Sequence, residues 1–118
     1  VEGSARAFAP LLHDRPLTGL EGKFSLQYAV AAALEDGRVT LASFEDAAVR
    51  RDAIQAFMPR VTGREGTGPL NPRYADIAVR LKDGRTLRRR VEALRGGPDM
   101  PLTDAQLAEK LADCVAHA

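Results

Sequence analysis

Lys23 and Ser25 are the two residues of this 118-residue chain whose types and position best suit chemistry. They precede an apolar stretch predicted to form a helix that begins at about Glu21 or Phe24 and ends near Glu35. The first amides of a helix lack partners and the macrodipole is positive there, so a lysine at this end favours a bound anion. We expect Lys23 to pair with a substrate carboxylate, with Ser25 and the helix amides adding hydrogen bonds. The alternative is a solvated lysine and an ordinary serine cap.

Three other side chains have the chemistry for proton transfer or nucleophilic attack. Imidazole titrates near neutral pH, so His13 is a candidate anion donor or proton shuttle; the alternative is a loop histidine held by a structural hydrogen bond. Tyr28 lies within the apolar stretch and is expected in the core, with its hydroxyl satisfied at a boundary. Cys114 falls on the apolar stripe of the last predicted helix, which favours a core residue over a nucleophile. No metal-ligand spacing occurs, so we expect no metal site.

Five arginines in the last third of the chain invite comparison with nucleic-acid-binding proteins: Arg85, Arg88, Arg89, Arg90 and Arg95. Alternation along a strand places Arg88 and Arg90 on one face and Arg89 on the other, and no aromatic residues are interleaved for base stacking. A solvated edge strand whose charges oppose aggregation is the better interpretation. We therefore expect no nucleic-acid partner.

The bulk composition limits the class of protein. Hydrophobic residues make up 45% of the chain and charged residues 28%, with a net charge of +1, which favours a globular domain with little attraction for nucleic acid or an anionic membrane. The single cysteine excludes an intrachain disulfide. The longest apolar run, Ala29–Leu34, is too short to cross a bilayer, and Val1–Pro10 lacks the pattern of a signal peptide. We expect a cytoplasmic protein without a membrane partner.

An antiparallel hairpin is the firmest structural prediction. Strands are predicted over 74–81 and 86–91, joined by the turn signal Asp83-Gly84, and a further short strand near 60–64. Strands and helices are segregated, so the fold class is α+β: a small antiparallel sheet packed with a central buried helix and a C-terminal amphipathic helix. Because the central helix is apolar almost all round, we expect it to be covered on most sides.

Three further helical segments are predicted. Ser43 is the expected N-cap of a short helix, and residues 52–58 form another that ends at Pro59. Thr103 and Gln106 form a capping box that opens the last helix, which runs to about residue 116. Its predicted buried stripe consists of Leu107, Leu111, Cys114 and Val115.

These motifs resemble the MmgE/PrpD family, which includes 2-methylcitrate dehydratases, cis-aconitate decarboxylases and an iminodisuccinate epimerase. The resemblance runs from about Leu11 to Cys114, and its most specific part is Lys23-Phe24-Ser25 within the stretch from Gly19 to Tyr28. It also includes His13–Pro16, Leu34–Val39, Phe44, Val79–Arg85 and Pro101–Thr103, with Leu107 and Lys110.

The resemblance implies a fold and a reaction. Family members are longer chains that act as dimers and pair a large helical domain with a smaller α+β domain. Residues 1–118 resemble most of the smaller, C-terminal-side domain, as a single domain and a fragment of a longer chain. The family reaction is proton abstraction next to a carboxylate, without a metal or organic cofactor, in a pocket between the two domains.

The resemblance also implies site residues. Lys23 matches a pocket position held by lysine or histidine, which makes it the catalytic and substrate-binding candidate. Ser25 follows it in the same motif, and His13 matches a position that is often histidine or asparagine; both are substrate-binding candidates. Some members have a pocket tyrosine where this chain reads Thr62-Gly63-Arg64-Glu65, which argues against a decarboxylase of that subtype.

Two hypotheses about function follow. The first is the small domain of a cofactor-independent lyase of this family, acting on a di- or tricarboxylate that Lys23 binds. The 118 residues alone supply an anion clamp without a full acid and base set, so we expect the isolated chain to be inactive. The second is a stand-alone ligand-binding or dimerisation module with the same fold and no catalysis. An exposed apolar patch around residues 24–34 favours the first hypothesis and a covered helix the second.

Overall fold

The computed structural model describes residues 1–69 and 71–118 and has an α+β fold, as predicted. Contacts divide the chain into two compact units. The first combines Val1–Ala9 with Gly63–Leu102, and the second combines Pro10–Thr62 with Thr103–Ala118. All described strands belong to the first unit and all described helices to the second.

The first unit is a four-stranded mixed sheet in the order β2-β1-β3-β4. Strands β3 (Ala75–Arg80) and β4 (Thr86–Val91) form the predicted antiparallel hairpin, with Ala75 opposite Val91 and Arg80 opposite Thr86. In its turn Gly84 has a φ of 89°, a left-handed conformation that suits glycine. The hairpin prediction is therefore confirmed.

Two very short strands complete the sheet. Strand β1 (Glu2–Gly3) pairs antiparallel with β3 and parallel with β2 (Arg64–Glu65). The expected strand near 60–64 was wrong in position, because Met58–Arg60 forms a 3₁₀ turn instead. Strands of two residues show no alternation, so only their pairing with distant residues defines them.

The second unit is built from five helices: α1 (Gly19–Gly22), α2 (Leu26–Asp36), α3 (Asp46–Val49), α4 (Asp52–Phe57) and α5 (Asp104–Ala116). A second 3₁₀ turn covers Ala42–Phe44. The predicted central helix is thus two helices, α1 and α2, separated by the turn that carries Lys23 and Ser25. None of the helices in the described part of the chain is long and apolar enough to cross a membrane.

The core of the second unit is small. It consists of Tyr28, Ala31, Ala32, Val49, Ile54 and Met58. Residues 26–32 of helix α2 are all buried or half-buried, and only its last residues, 33–36, are exposed, so the predicted central buried helix is confirmed for its first two turns.

Two cap and burial predictions need correction. Ser43 does not cap α3; it lies in the 3₁₀ turn, where its Oγ accepts a hydrogen bond from the Thr40 N–H at 3.1 Å. Helix α5 begins at the predicted capping box but contributes no buried residue, and Cys114 is exposed. The apolar stripe exists in the sequence, but a sequence pattern does not show whether another element covers it.

Candidate functional site

The first turn of α1 is closed by hydrogen bonds within the chain. The Thr18 Oγ1 accepts from the Glu21 N–H at 3.3 Å, and the Glu21 carboxylate accepts from the N–H groups of Thr18 at 3.3 Å and Leu17 at 2.8 Å. The Gly19 N–H donates to Asp46 Oδ1 at 2.8 Å. These amides are already satisfied, so α1 serves to hold its neighbours rather than to bind a ligand.

Gly19 allows α1 to lie directly against the 3₁₀ turn that contains Phe44. A Cβ on Gly19 would be 1.6 Å from the Phe44 carbonyl oxygen, so no side chain fits there. Gly22, at the other end of α1, faces the core side chains Tyr28 and Val49, at 3.1 and 3.2 Å from a built Cβ. Both ends of this short helix are therefore packed tightly. The backbone of Lys23, which follows it, is held in place by this packing.

Lys23 follows α1 directly. Its backbone N–H donates to the Gly19 carbonyl at 3.2 Å, and its side chain is exposed to solvent. The Nζ lies 6.0 Å from the centre of the Phe44 ring. A cation at this distance from an aromatic face gains about 0.5–1 kcal/mol at an exposed site. Lys23 thus presents an exposed ammonium near an aromatic ring, on a backbone held by a hydrogen bond to α1.

Ser25 is buried and caps α2. Its Oγ accepts a hydrogen bond from the Tyr28 N–H at 3.1 Å, the ordinary geometry of a serine N-cap. The residue is 1% exposed. Its hydroxyl accepts one hydrogen bond and still has a proton that it can donate. The structural reading of Ser25 is confirmed, and a contact with substrate stays a prediction.

His13 lies beside the same turn. Its backbone N–H donates to the carbonyl oxygen of Phe24 at 3.2 Å, and the residue is half-buried. Because Phe24 stands between Lys23 and Ser25, this bond brings the three predicted site residues to one short stretch of backbone. Asp14, next to His13, accepts a hydrogen bond from Gln27 Nε2 at 3.0 Å, which ties the same loop to α2.

Glu21 is the acidic residue nearest to Lys23 along the chain. The hydrogen bond from the Leu17 N–H is the main cause that holds the pKa of the Glu21 carboxyl below its usual value; burial opposes it. The Thr18 N–H and the charge of His13 lower the pKa further. Glu21 is therefore an ionised carboxylate engaged with backbone amides, and it accepts no proton near neutral pH.

Exposed apolar side chains flank the site. Leu12 is 76% exposed, Leu20 is 68% exposed and Phe24 is 44% exposed. Leu12 adjoins His13, and Leu20 lies four residues before Phe24. Large exposed apolar side chains beside an exposed ammonium are consistent with a surface that another part of a protein covers.

Tyr28 is a core residue, as predicted. It is fully buried, its hydroxyl donates to the carbonyl of Ser43, and its ring meets Phe44 edge-on with 6.1 Å between centroids. Burial raises the pKa of the Tyr28 phenol, so it stays protonated. Phe44, which sequence reasoning did not place at the site, is the link between this core tyrosine and Lys23; no local signal joins residues 21 positions apart.

A separate groove of about 440 Å³ lies at the C-terminal end of α2 and is lined in part by Asp36, Arg38 and Arg51. Arg51 donates to both carboxylate oxygens of Asp36, at 2.8 and 2.6 Å. This pair places a cation near the negative end of the helix dipole. None of the three predicted site residues lines this groove.

Comparison with known proteins identifies the class of protein. The family model described as the MmgE/PrpD C-terminal domain matches residues 2–118, and the chain belongs to this family. Among curated proteins it is similar to cis-aconitate decarboxylase from Homo sapiens, with 31% identity over 98 residues, which covers 80% of this chain and 20% of the relative.

Two further relatives carry related names. The cis-aconitate decarboxylase-like protein oryM of Aspergillus oryzae (strain ATCC 42149 / RIB 40) is 35% identical over 100 residues, covering 82% of this chain and 20% of the relative. The cis-aconitate decarboxylase of Mus musculus is 32% identical over 95 residues, covering 76% and 19%. The chain thus spans about a fifth of the length of these relatives. The lack of a tyrosine at residues 62–65 is therefore a weaker argument against a decarboxylase, since these relatives carry that name.

Proposed function

We propose that this chain is the small domain of a cofactor-independent lyase of the MmgE/PrpD type that acts on a di- or tricarboxylate. Lys23 is the residue that binds a carboxylate of the substrate. The observation that carries the proposal is the exposed ammonium of Lys23, on a backbone held by a hydrogen bond just before α2, with uncovered apolar side chains nearby along the chain. A stand-alone module would be expected to cover such a patch.

The site suits a substrate with more than one carboxylate. Lys23 offers a point charge on a flexible stem, and the start of α2 adds partial positive charge for the same anion. The half-buried His13 is held next to Lys23 and Ser25 by its backbone hydrogen bond to Phe24. Its imidazole is therefore the candidate to bind a second carboxylate or to move a proton. An unsaturated tricarboxylate such as cis-aconitate is the first substrate to test, since the relatives are named for it.

The proposal leaves most acid–base chemistry to another part of the molecule. The carboxyl group nearest Lys23 along the chain is that of Glu21, which is engaged in the α1 capping box. A lyase needs a base to take a proton, or a donor to return one after carbon dioxide or water leaves. We therefore assign those groups to a helical domain of the same longer polypeptide, in a homodimeric cytoplasmic enzyme, and expect the isolated 118 residues to be inactive.

The test is the removal of the Lys23 charge in the full-length protein. Lys23→Met keeps an unbranched side chain and removes one charge-assisted hydrogen bond to the substrate, which is worth about 1.5–3 kcal/mol, or a ten- to hundredfold loss in kcat/KM. Lys82→Met, in the hairpin turn, is the matched control and is expected to retain activity. A loss of less than about threefold in the Lys23 variant would overturn the assignment.

A further inference from the structure

Helix α5 contacts the rest of the second unit through its polar face. Arg38 Nη1 donates to Glu109 Oε1 at 2.9 Å, and the Leu41 N–H donates to Asp113 Oδ2 at 3.1 Å. His117, one turn further on, has its ring 3.8 Å from a carboxylate oxygen of the same unit. Glu109, Asp113 and the C-cap residue His117 are four positions apart, so they form one row along the helix.

The opposite face of α5 is apolar and uncovered. Leu107, Leu111 and Val115 form a second row at the same spacing and are 50%, 66% and 68% exposed. Each lies two positions from a residue of the polar row, which is about 200° around the helix. A helix of a globular protein ordinarily turns its apolar stripe toward a core, and α5 presents it to solvent.

The contacts that hold α5 in place are weak by themselves. Arg38 and Glu109 have side chains that are about two-thirds or more exposed, and exposed ion pairs contribute about 0–1 kcal/mol. A helix of 13 residues is marginal in water without packing, even with the capping box at Thr103. Apolar packing on the Leu107-Leu111-Val115 face is the stabilisation that this helix lacks.

We propose that in the intact protein the Leu107-Leu111-Val115 face packs against a segment of the same polypeptide that lies outside these 118 residues. The relatives are about five times longer than the part that this chain matches, so a long stretch of polypeptide has no counterpart here. The covering surface is apolar, to match three aliphatic side chains. This inference rests on the length of the relatives and not on the role of Lys23.

A second copy of the chain is a poorer occupant for this face. Helix α5 is about 20 Å long, and three aliphatic side chains offer far less than the roughly 800 Å² per partner of a stable interface. A segment of the same polypeptide loses no translational freedom on docking, so a small apolar face is sufficient for it.

Cys114 provides the experiment, because it adjoins this face and is exposed in the structure. In the full-length native protein we expect Cys114 to react with a soluble aromatic disulfide at least about a hundredfold more slowly than a cysteine placed at Lys82, with both rates normalised to the unfolded protein. Each reacted position is identified by peptide mass. Equal rates would overturn the proposal.

Two further measurements separate the occupants. If protection of Cys114 disappears on dilution to the monomer, the covering surface is a second copy and the proposal is wrong. If the protein from its source has an intact mass near 12.7 kDa, no outside segment exists and the proposal is also wrong. Leu111→Asn is expected to raise the Cys114 rate at least tenfold, whereas Ala112→Asn, which lies about 200° around the same helix from Cys114, leaves it unchanged.

Discussion

The ammonium of Lys23 lies 6.0 Å from the centre of the Phe44 ring, and that ring packs edge-on against the fully buried Tyr28. The carbonyl of Phe44 also lies against Gly19, at the start of the helix that Lys23 follows. Phe44 thus lies near the ammonium of the exposed lysine and against the helix that precedes it. The orientation of Lys23 is coupled to the core through this one residue.

Phe44→Leu in the full-length protein is expected to raise KM for the substrate about two- to fivefold, because the loss of a cation–π contact worth about 0.5–1 kcal/mol leaves Lys23 less well oriented. Phe44→Tyr keeps the ring and is the control. The decisive comparison is the same substitution in a Lys23→Met background. An undiminished effect there would show that Phe44 acts through packing alone.

Gly19→Ala is expected to destabilise the protein by more than about 2 kcal/mol, because its methyl group would collide with the backbone oxygen of Phe44 and separate α1 from the 3₁₀ turn. Urea unfolding of the full-length protein measures the change. Gly68→Ala is the matched control: nothing lies within 4 Å of its built Cβ, so we expect a change within about 0.5 kcal/mol. Equal stability of the two variants would contradict the close approach.

Ser25→Ala removes the cap of α2 and is expected to cost about 1 kcal/mol of unfolding free energy. Ser25→Asp restores a capping oxygen and, at the same position, puts a negative charge where an anionic substrate is proposed to bind. A stable Ser25→Asp variant with substrate affinity at least tenfold weaker would favour a site at this helix start. Unchanged affinity would leave Ser25 with its structural role only.

Glu21 makes stability depend on pH in the acid range. Its carboxyl has a folded-state pKa below the usual value of 4.5, so its contribution is complete above about pH 4.5 and disappears as the pH falls through the folded value. Glu21→Gln is expected to remove this part of the acid dependence while the variant remains folded at pH 7. Unfolding curves of both proteins between pH 7 and pH 3 make the comparison, and parallel pH profiles would contradict it.

Local signals in the sequence predicted the elements that short-range chemistry defines. Asp83-Gly84 identified the hairpin, and Thr103 with Gln106 identified the start of α5. Strand β1 was missed, because a two-residue strand is defined by its partners rather than by its own pattern. The stripe of α5 was recognised but its burial was wrong, since burial depends on residues elsewhere in the polypeptide.

The candidate site was predictable to the same extent. The position of Lys23 and Ser25 at a helix start followed from composition, and the backbone bond from His13 to Phe24 brings the third candidate beside them. The position of Phe44 near Lys23 did not follow, because Phe44 lies in the connection between α2 and α3, 21 residues further along the chain. Contacts of this kind depend on the packing of the whole unit.

The buried apolar side chains of the described residues all belong to the second unit, and the strands of the first have none. Local opening of a folded chain costs least where few apolar contacts must separate. Helix α2 carries the buried Tyr28 and Ala32. Its amides are therefore expected to exchange with solvent deuterium much more slowly than those of the β3–β4 hairpin. A protease acting on the native protein is therefore expected to cleave the hairpin before it cleaves α2, the helix that Ser25 caps.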